Sequence, residues 1–89
     1  MKIPKRVLEQ LEMVRMQGRF NMHDKITVQV AANDLECYEL VCYIEELPRK
    51  GGWMAVLEAL GEFSVSLTTD ERDALRERVS DFDEEEETL

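Results

Sequence analysis

Residues 22–32, MHDKITVQVAA, decide the fold. Read in steps of two, Ile26, Val28 and Val30 alternate as the apolar face of a strand does. Read in steps of four, Met22, Ile26 and Val30 line one side of a helix. Ala31 and Ala32, good helix formers, and the cap-like residues around the segment favour the helix. A strand over 26–30 stays open as the alternative.

Upstream, the spacing predicts a helix from Pro4 to Gln17. Pro4 suits a first turn, where its missing N–H costs nothing, and Val7, Leu11 and Val14 recur at i, i+4, i+7, with Leu8 widening the stripe. The junction, RMQGRFNMHD at 15–24, then reads as caps. Gly18 ends the first helix in a left-handed conformation, and Asn21 accepts the N–H groups that open the second. Asp24 lies in that helix's first turn, where negative charge is favoured. Phe20 and Met22 anchor the connection in the core. The rival reading makes this junction a site, with His23 and Asp24 as an acid/base pair or Arg15 and Arg19 as an anion clamp. Adjacent residues on a helix point about 100° apart, and no nucleophile with an oxyanion loop accompanies them, so capping is preferred.

Downstream, ECYELVCYIEELP (36–48) is a helix with Asp34 as N-cap. Cys37, Leu40, Val41, Ile44 and Leu47 share a face that Tyr38 and Cys42 extend, so this is expected to be the most buried helix. Pro48-Arg49-Lys50-Gly51-Gly52 breaks the chain before WMAVLEALG, where Trp53, Val56, Leu57 and Leu60 are helically spaced and Gly61 marks a stop. FSVSL (63–67) is too short and isolated for a sheet, and is expected to be an extended connector. Thr68 and Glu71 form a capping box for a last helix with Ala74, Leu75, Val79 and Phe82 on its apolar side. The acidic end, 81–89, is a like-charge run expected to be disordered. The fold class is therefore all-α: one domain over 1–80, a compact bundle of four to five short helices, followed by the acidic tail.

Twenty acidic residues against eleven basic give a net charge of −9. That balance argues against binding a duplex through its phosphates. It fits a solubilising surface, a docking surface for basic partners, or an imitation of nucleic acid. Seven arginines, four lysines and an acidic end also fit a salt-adapted intracellular protein, in which the charge answers the solvent. Neither a signal-peptide h-region nor an apolar run near the roughly 20 residues of a bilayer span is visible, so the expected location is cytoplasmic, without membrane contact.

Other constellations are weak. Cys37 and Cys42 lie about 140° apart on a helix and match no zinc spacing, so both are expected to be buried small apolar residues. Glu36, Glu39, Glu45 and Glu46 lack the histidine motif of a carboxylate metal site, and read as a solvated face. The glycine pair lacks the pattern of a phosphate loop. A helix-turn-helix would present an acidic recognition helix to phosphate, which rules against it. Trp53 beside Arg49 and Lys50 could stack on a base or a partner's ring, but its helical spacing favours the core.

The order V-R-x-x-G-x-x-N-M-x-D from Val14 to Asp24, with Tyr38-Glu39-Leu40-Val41 and Tyr43-Ile44-Glu45-Glu46, resembles a small family of unknown function in phages, prophages and archaeal genomes. The resemblance covers roughly residues 5–60, makes Arg15, Gly18, Asn21, Met22 and Asp24 its signature, and implies a mobile-element setting without a mechanism. The expected function is a non-enzymatic interaction or regulatory protein, needing no cofactor or metal, that binds another protein or its own copy. The alternatives are an acidic inhibitor occupying a nucleic-acid-binding site and a small enzyme or ligand binder using the Arg15–Asp24 loop. The candidate interaction residues are Arg15, Arg19, Asn21, His23, Asp24, Arg49, Lys50 and Trp53.

Overall fold

The computed structural model describes residues 3–18, 21–47 and 52–87, with side chains as far as Asp81. It contains five helices: α1 (Lys5–Gln17), α2 (Lys25–Asp34), α3 (Tyr38–Glu46), α4 (Gly52–Ser66) and α5 (Thr69–Glu87). No strand occurs among the described residues. The all-α class is as expected, and residues 26–30 are helical.

Helix α1 is the axis of the bundle. It touches each of the other four helices, and Gln10 to Val14 are buried all the way round. The expectation that the third helix would be the most buried is therefore corrected. Tyr38 and Cys42, assigned to its buried face, are exposed. Leu40 and Ile44 alone are fully buried within α3, because one side of this helix faces α1 and α2 and the other faces solvent.

Helix α2 has the expected period with a different phase. Val28, Ala31, Ala32 and Leu35 are buried, while Ile26 and Val30 are 69% and 58% exposed. The face of α2 that is buried carries the two alanines, 1% and 0% exposed, together with Val28 and Leu35, and α2 packs on α1 and α3. Each such Val or Leu, fully buried, contributes about 1.5–3 kcal/mol.

Chain turns are set by caps. Gly18 (φ 67°) closes α1, donating its N–H to the Arg15 carbonyl, as expected. At the end of α2, Glu36 takes the left-handed role with φ 59°. The N–H of Cys37 reaches the Ala32 carbonyl at 2.8 Å and that of Glu36 the Asn33 carbonyl at 3.1 Å, a Schellman pattern. Asp34 is thus the last residue of α2 and not the cap of α3, whose N-cap is Cys37.

Gly61 does not stop α4, and FSVSL is not extended: the helix runs on to Ser66. One interior glycine costs only about 1 kcal/mol relative to alanine, and Trp53, Val56 and Leu60 hold the helix against the core. The capping box of α5 forms as expected. Thr68 N–H donates to Glu71 Oε1 at 3.0 Å, and Glu71 N–H donates to Thr68 Oγ1 at 3.2 Å. Leu75 and Val79 are buried, whereas Ala74 is exposed. The backbone of α5 is helical to Glu87; the side chains from Phe82 onward, and residues 88 and 89 of the acidic end, lie outside the described residues. The Cα radius of gyration, 12.8 Å, is close to the ~12 Å of a single compact domain of this length.

Candidate functional site

The junction between α1 and α2 is largely accounted for by local bonding. Asp24, and not Asn21, is the N-cap of α2: its Oδ1 accepts the Thr27 N–H at 3.3 Å and its Oδ2 the Thr27 hydroxyl at 2.8 Å. These bonds hold the Asp24 carboxyl below its ordinary pKa, the Thr27 hydroxyl contributing most. Asn21 sits one turn earlier, where its Oδ1 accepts the His23 N–H at 3.0 Å. His23 is exposed, and the Asp24 carboxylate turns to Thr27 instead of to its ring.

Arg15 ends in a bonded chain. Its Nε donates to Oε1 of Glu12, which is 0% exposed, and its Nη2 to the Ser64 hydroxyl at 3.3 Å. Glu12 Oε2 is buried and has no hydrogen-bond partner among the described residues. Arg15 and His23 border a pocket of about 310 Å³ whose far wall is Leu57, Leu60 and Val65 of α4. Trp53 is a core residue, and its Nε1–H donates to the Met22 carbonyl at 2.8 Å, tying the junction to α4. Phe20, Arg19, Arg49 and Lys50 lie outside the described residues.

A larger concavity lies elsewhere, between the start of α1 and the solvent side of α3. It measures about 540 Å³; Pro4, Arg6 and Val7 form one wall, and Tyr38, Glu39, Cys42, Tyr43 and Glu46 the other. Tyr38, Cys42 and Glu46 are spaced i, i+4, i+8, one stripe of a helix whose opposite stripe is the buried Leu40 and Ile44. The position of α3 is fixed by Gln10, a buried polar residue of α1. Gln10 Oε1 accepts the Leu40 N–H at 2.8 Å, so α3, which lacks a side-chain cap of its own, is capped from a different helix. Gln10 Nε2 donates to Glu39 Oε2 at 2.6 Å, and Arg6 Nε pairs with Glu39 Oε1 at 3.0 Å. The bond from Gln10, then the Glu39 backbone and Arg6, lower the Glu39 pKa. Cys37 is buried, and burial raises its thiol pKa to about 11; Cys42, expected to be buried too, is exposed in the groove.

Sequence reasoning missed this groove. Its trace was the second stripe of α3, read there as an extension of the buried face. Among the described residues no group of three or more His, Cys, Asp or Glu side chains could hold a metal ion, and no helix is long and apolar enough to cross a membrane.

An all-α bundle with an open apolar groove is a scaffold shared by many unrelated chains, and the comparisons narrow it only to a family. The chain belongs to the family described as domain of unknown function DUF5049, which matches residues 3–51, more than half its length. The match takes in α1 to α3, and with them the whole groove. No curated protein and no solved structure matches the chain.

Proposed function

We propose that this DUF5049 member is a non-enzymatic interaction module that docks another protein in the groove between α1 and α3. One observation carries the reading. On a strongly charged chain, this groove leaves Tyr38 56% exposed beside Cys42, over a floor of Val7 and Pro4. Apolar and aromatic side chains displayed in a concavity are typical of interface centres. The phage, prophage and archaeal resemblance of the Val14–Asp24 signature supports a mobile element acting on a host component, in the cytoplasm. The experiment is affinity capture from a nuclease-treated lysate at native ionic strength, run with the wild type and with Tyr38→Asp. A stoichiometric partner kept by the wild type and lost by the variant is the expected result. A partner held equally by both overturns the groove.

A second reading rests on charge asymmetry. Residues 1–34 hold six basic and four acidic side chains, a net of +2; residues 35–89 hold five and sixteen, a net of −11. The described part of α5 exposes Asp70, Glu71, Asp73, Glu77 and Asp81 against Arg76 and Arg78. Such a field favours an inhibitor that occupies a nucleic-acid-binding site. Competition between this protein and DNA or RNA for the captured partner tests it.

A further inference from the structure

We infer that the groove between α1 and α3 takes a protein segment presenting one large apolar side chain next to a lysine or arginine. The inference rests on the docking role proposed above and adds the chemistry of the occupant. The apolar half follows from the floor: Val7 and Pro4 on one side, Tyr38 and Tyr43 on the other, with the small Cys42 leaving space between the rings.

The basic half follows from the carboxylates of α3, of which there are three with no basic residue in the helix. Arg6, the basic residue of the groove lining, is paired with one oxygen of Glu39 and Gln10 holds the other, so these two charges offset each other. Glu45 Oε1 accepts from Gln29 Nε2 at 2.8 Å. Glu46 borders the groove and takes part in no hydrogen bond or ion pair among the described residues. An occupant covering the floor removes water from one flank of that carboxylate. A cation beside the apolar anchor offsets this desolvation, and an acidic neighbour adds repulsion to it. The net charge of −9 attracts the same class of partner at longer range.

Cys42 supplies a local reporter, because it lies in the groove while Cys37 is buried with its thiol held protonated. The experiment selects random displayed peptides on the full chain. Selected peptides are then scored by composition, by slowing of Cys42 alkylation with N-ethylmaleimide, and by affinity for Glu46→Lys. Position 46 is exposed in the last turn of α3, where a cation suits the helix dipole, so this variant folds.

The expected peptides pair Trp, Phe, Leu, Ile or Met with an adjacent Lys or Arg. They slow Cys42 alkylation and lose about tenfold in affinity for Glu46→Lys, the scale of one central charge pair. Peptides that protect Cys42 but show no basic preference, or bind Glu46→Lys unchanged, overturn this inference and leave the docking groove standing. Peptides that leave Cys42 alkylation unaltered, or the absence of any selected peptide, overturn both. Alkylation that slows with rising concentration of the protein alone assigns the groove to a second copy and overturns the inference.

Discussion

Helix α1 buries two polar side chains, Gln10 and Glu12, while α2, packed against it, leaves Ile26 and Val30 in solvent. The two helices depart from the apolar-in, polar-out rule in opposite directions. Their positions in the bundle account for both departures. The middle of a helix surrounded by four others, Gln10 to Val14, has no solvent face, so its polar residues are buried with the rest and must find partners. Gln10 finds two in α3, and Glu12 finds Arg15. A helix at the edge has more apolar residues than one contact face can hold, and the closest-fitting set wins. Hydrophobic periodicity reports that a helix has a face. Which face is covered depends on neighbours.

The sharpest way to break the comparison is Arg15→Met. It leaves the fully buried Glu12 without its cation; Arg15 is itself 44% exposed, so the cost should fall below that of a wholly buried pair, at about 2–3 kcal/mol. Adding Glu12→Met should restore most of that loss, since an apolar pair of similar volume is often as stable as the ions. Urea denaturation measures both; a loss below about 1 kcal/mol for the single variant would mean that water reaches the carboxylate. Next in size is the phase of α2. Val28→Ala should cost about 2 kcal/mol, whereas Ile26→Ala should stay within about 0.5 kcal/mol of the wild type. Equal losses would place Ile26 in a contact that the monomer lacks.

These two cases also mark how far the chain could be read unaided. The helix class, Gly18 as a left-handed cap, the Thr68–Glu71 capping box and Trp53 in the core were legible, because each depends on residues within about one helical turn. The burial of Glu12, the cap that Gln10 gives Leu40 and the exposure of Tyr38 and Cys42 were not. They arise between residues about 30 apart in sequence, or from the side of α3 that its neighbours leave uncovered. The Arg15–Asp24 junction attracted attention for its polar residues, which the structure largely spends on caps. The groove drew none, since tyrosine and cysteine at helical spacing read as core.

The helix ends give a smaller test. α1 closes with Gly18 at φ 67°, α2 with Glu36 at φ 59°. A side chain in this region costs roughly 1 kcal/mol that glycine avoids, partly offset by the extra freedom of glycine in the unfolded chain. Glu36→Gly should therefore stabilise the protein by a few tenths of a kcal/mol to about 1 kcal/mol. A lower thermal midpoint would show that the Glu36 side chain makes a contact worth more than the strain.

The smallest effect is the pH-dependent share of the Asp24 cap, which comparison of variants isolates. The Asp24 carboxyl is held below the ordinary 3.8 by the Thr27 hydroxyl and N–H. A carboxyl whose folded pKa is depressed adds stability above its unfolded value, and that stability is lost as pH falls through the folded value. Asp24→Ala should thus be less stable than the wild type at neutral pH, with the gap closing below about pH 4. Asp24→Asn can still accept the Thr27 N–H but does not titrate, so it should lose less at neutral pH and change less on acidification. Glu39 and Glu71 are also held below their ordinary values, by Gln10 and Thr68, but they are common to all three proteins and cancel in their differences. Thermal midpoints from pH 7 to pH 3 make the comparison. A gap between wild type and Asp24→Ala that stays constant over that range would mean that the capping bond does not depend on the charge of the aspartate.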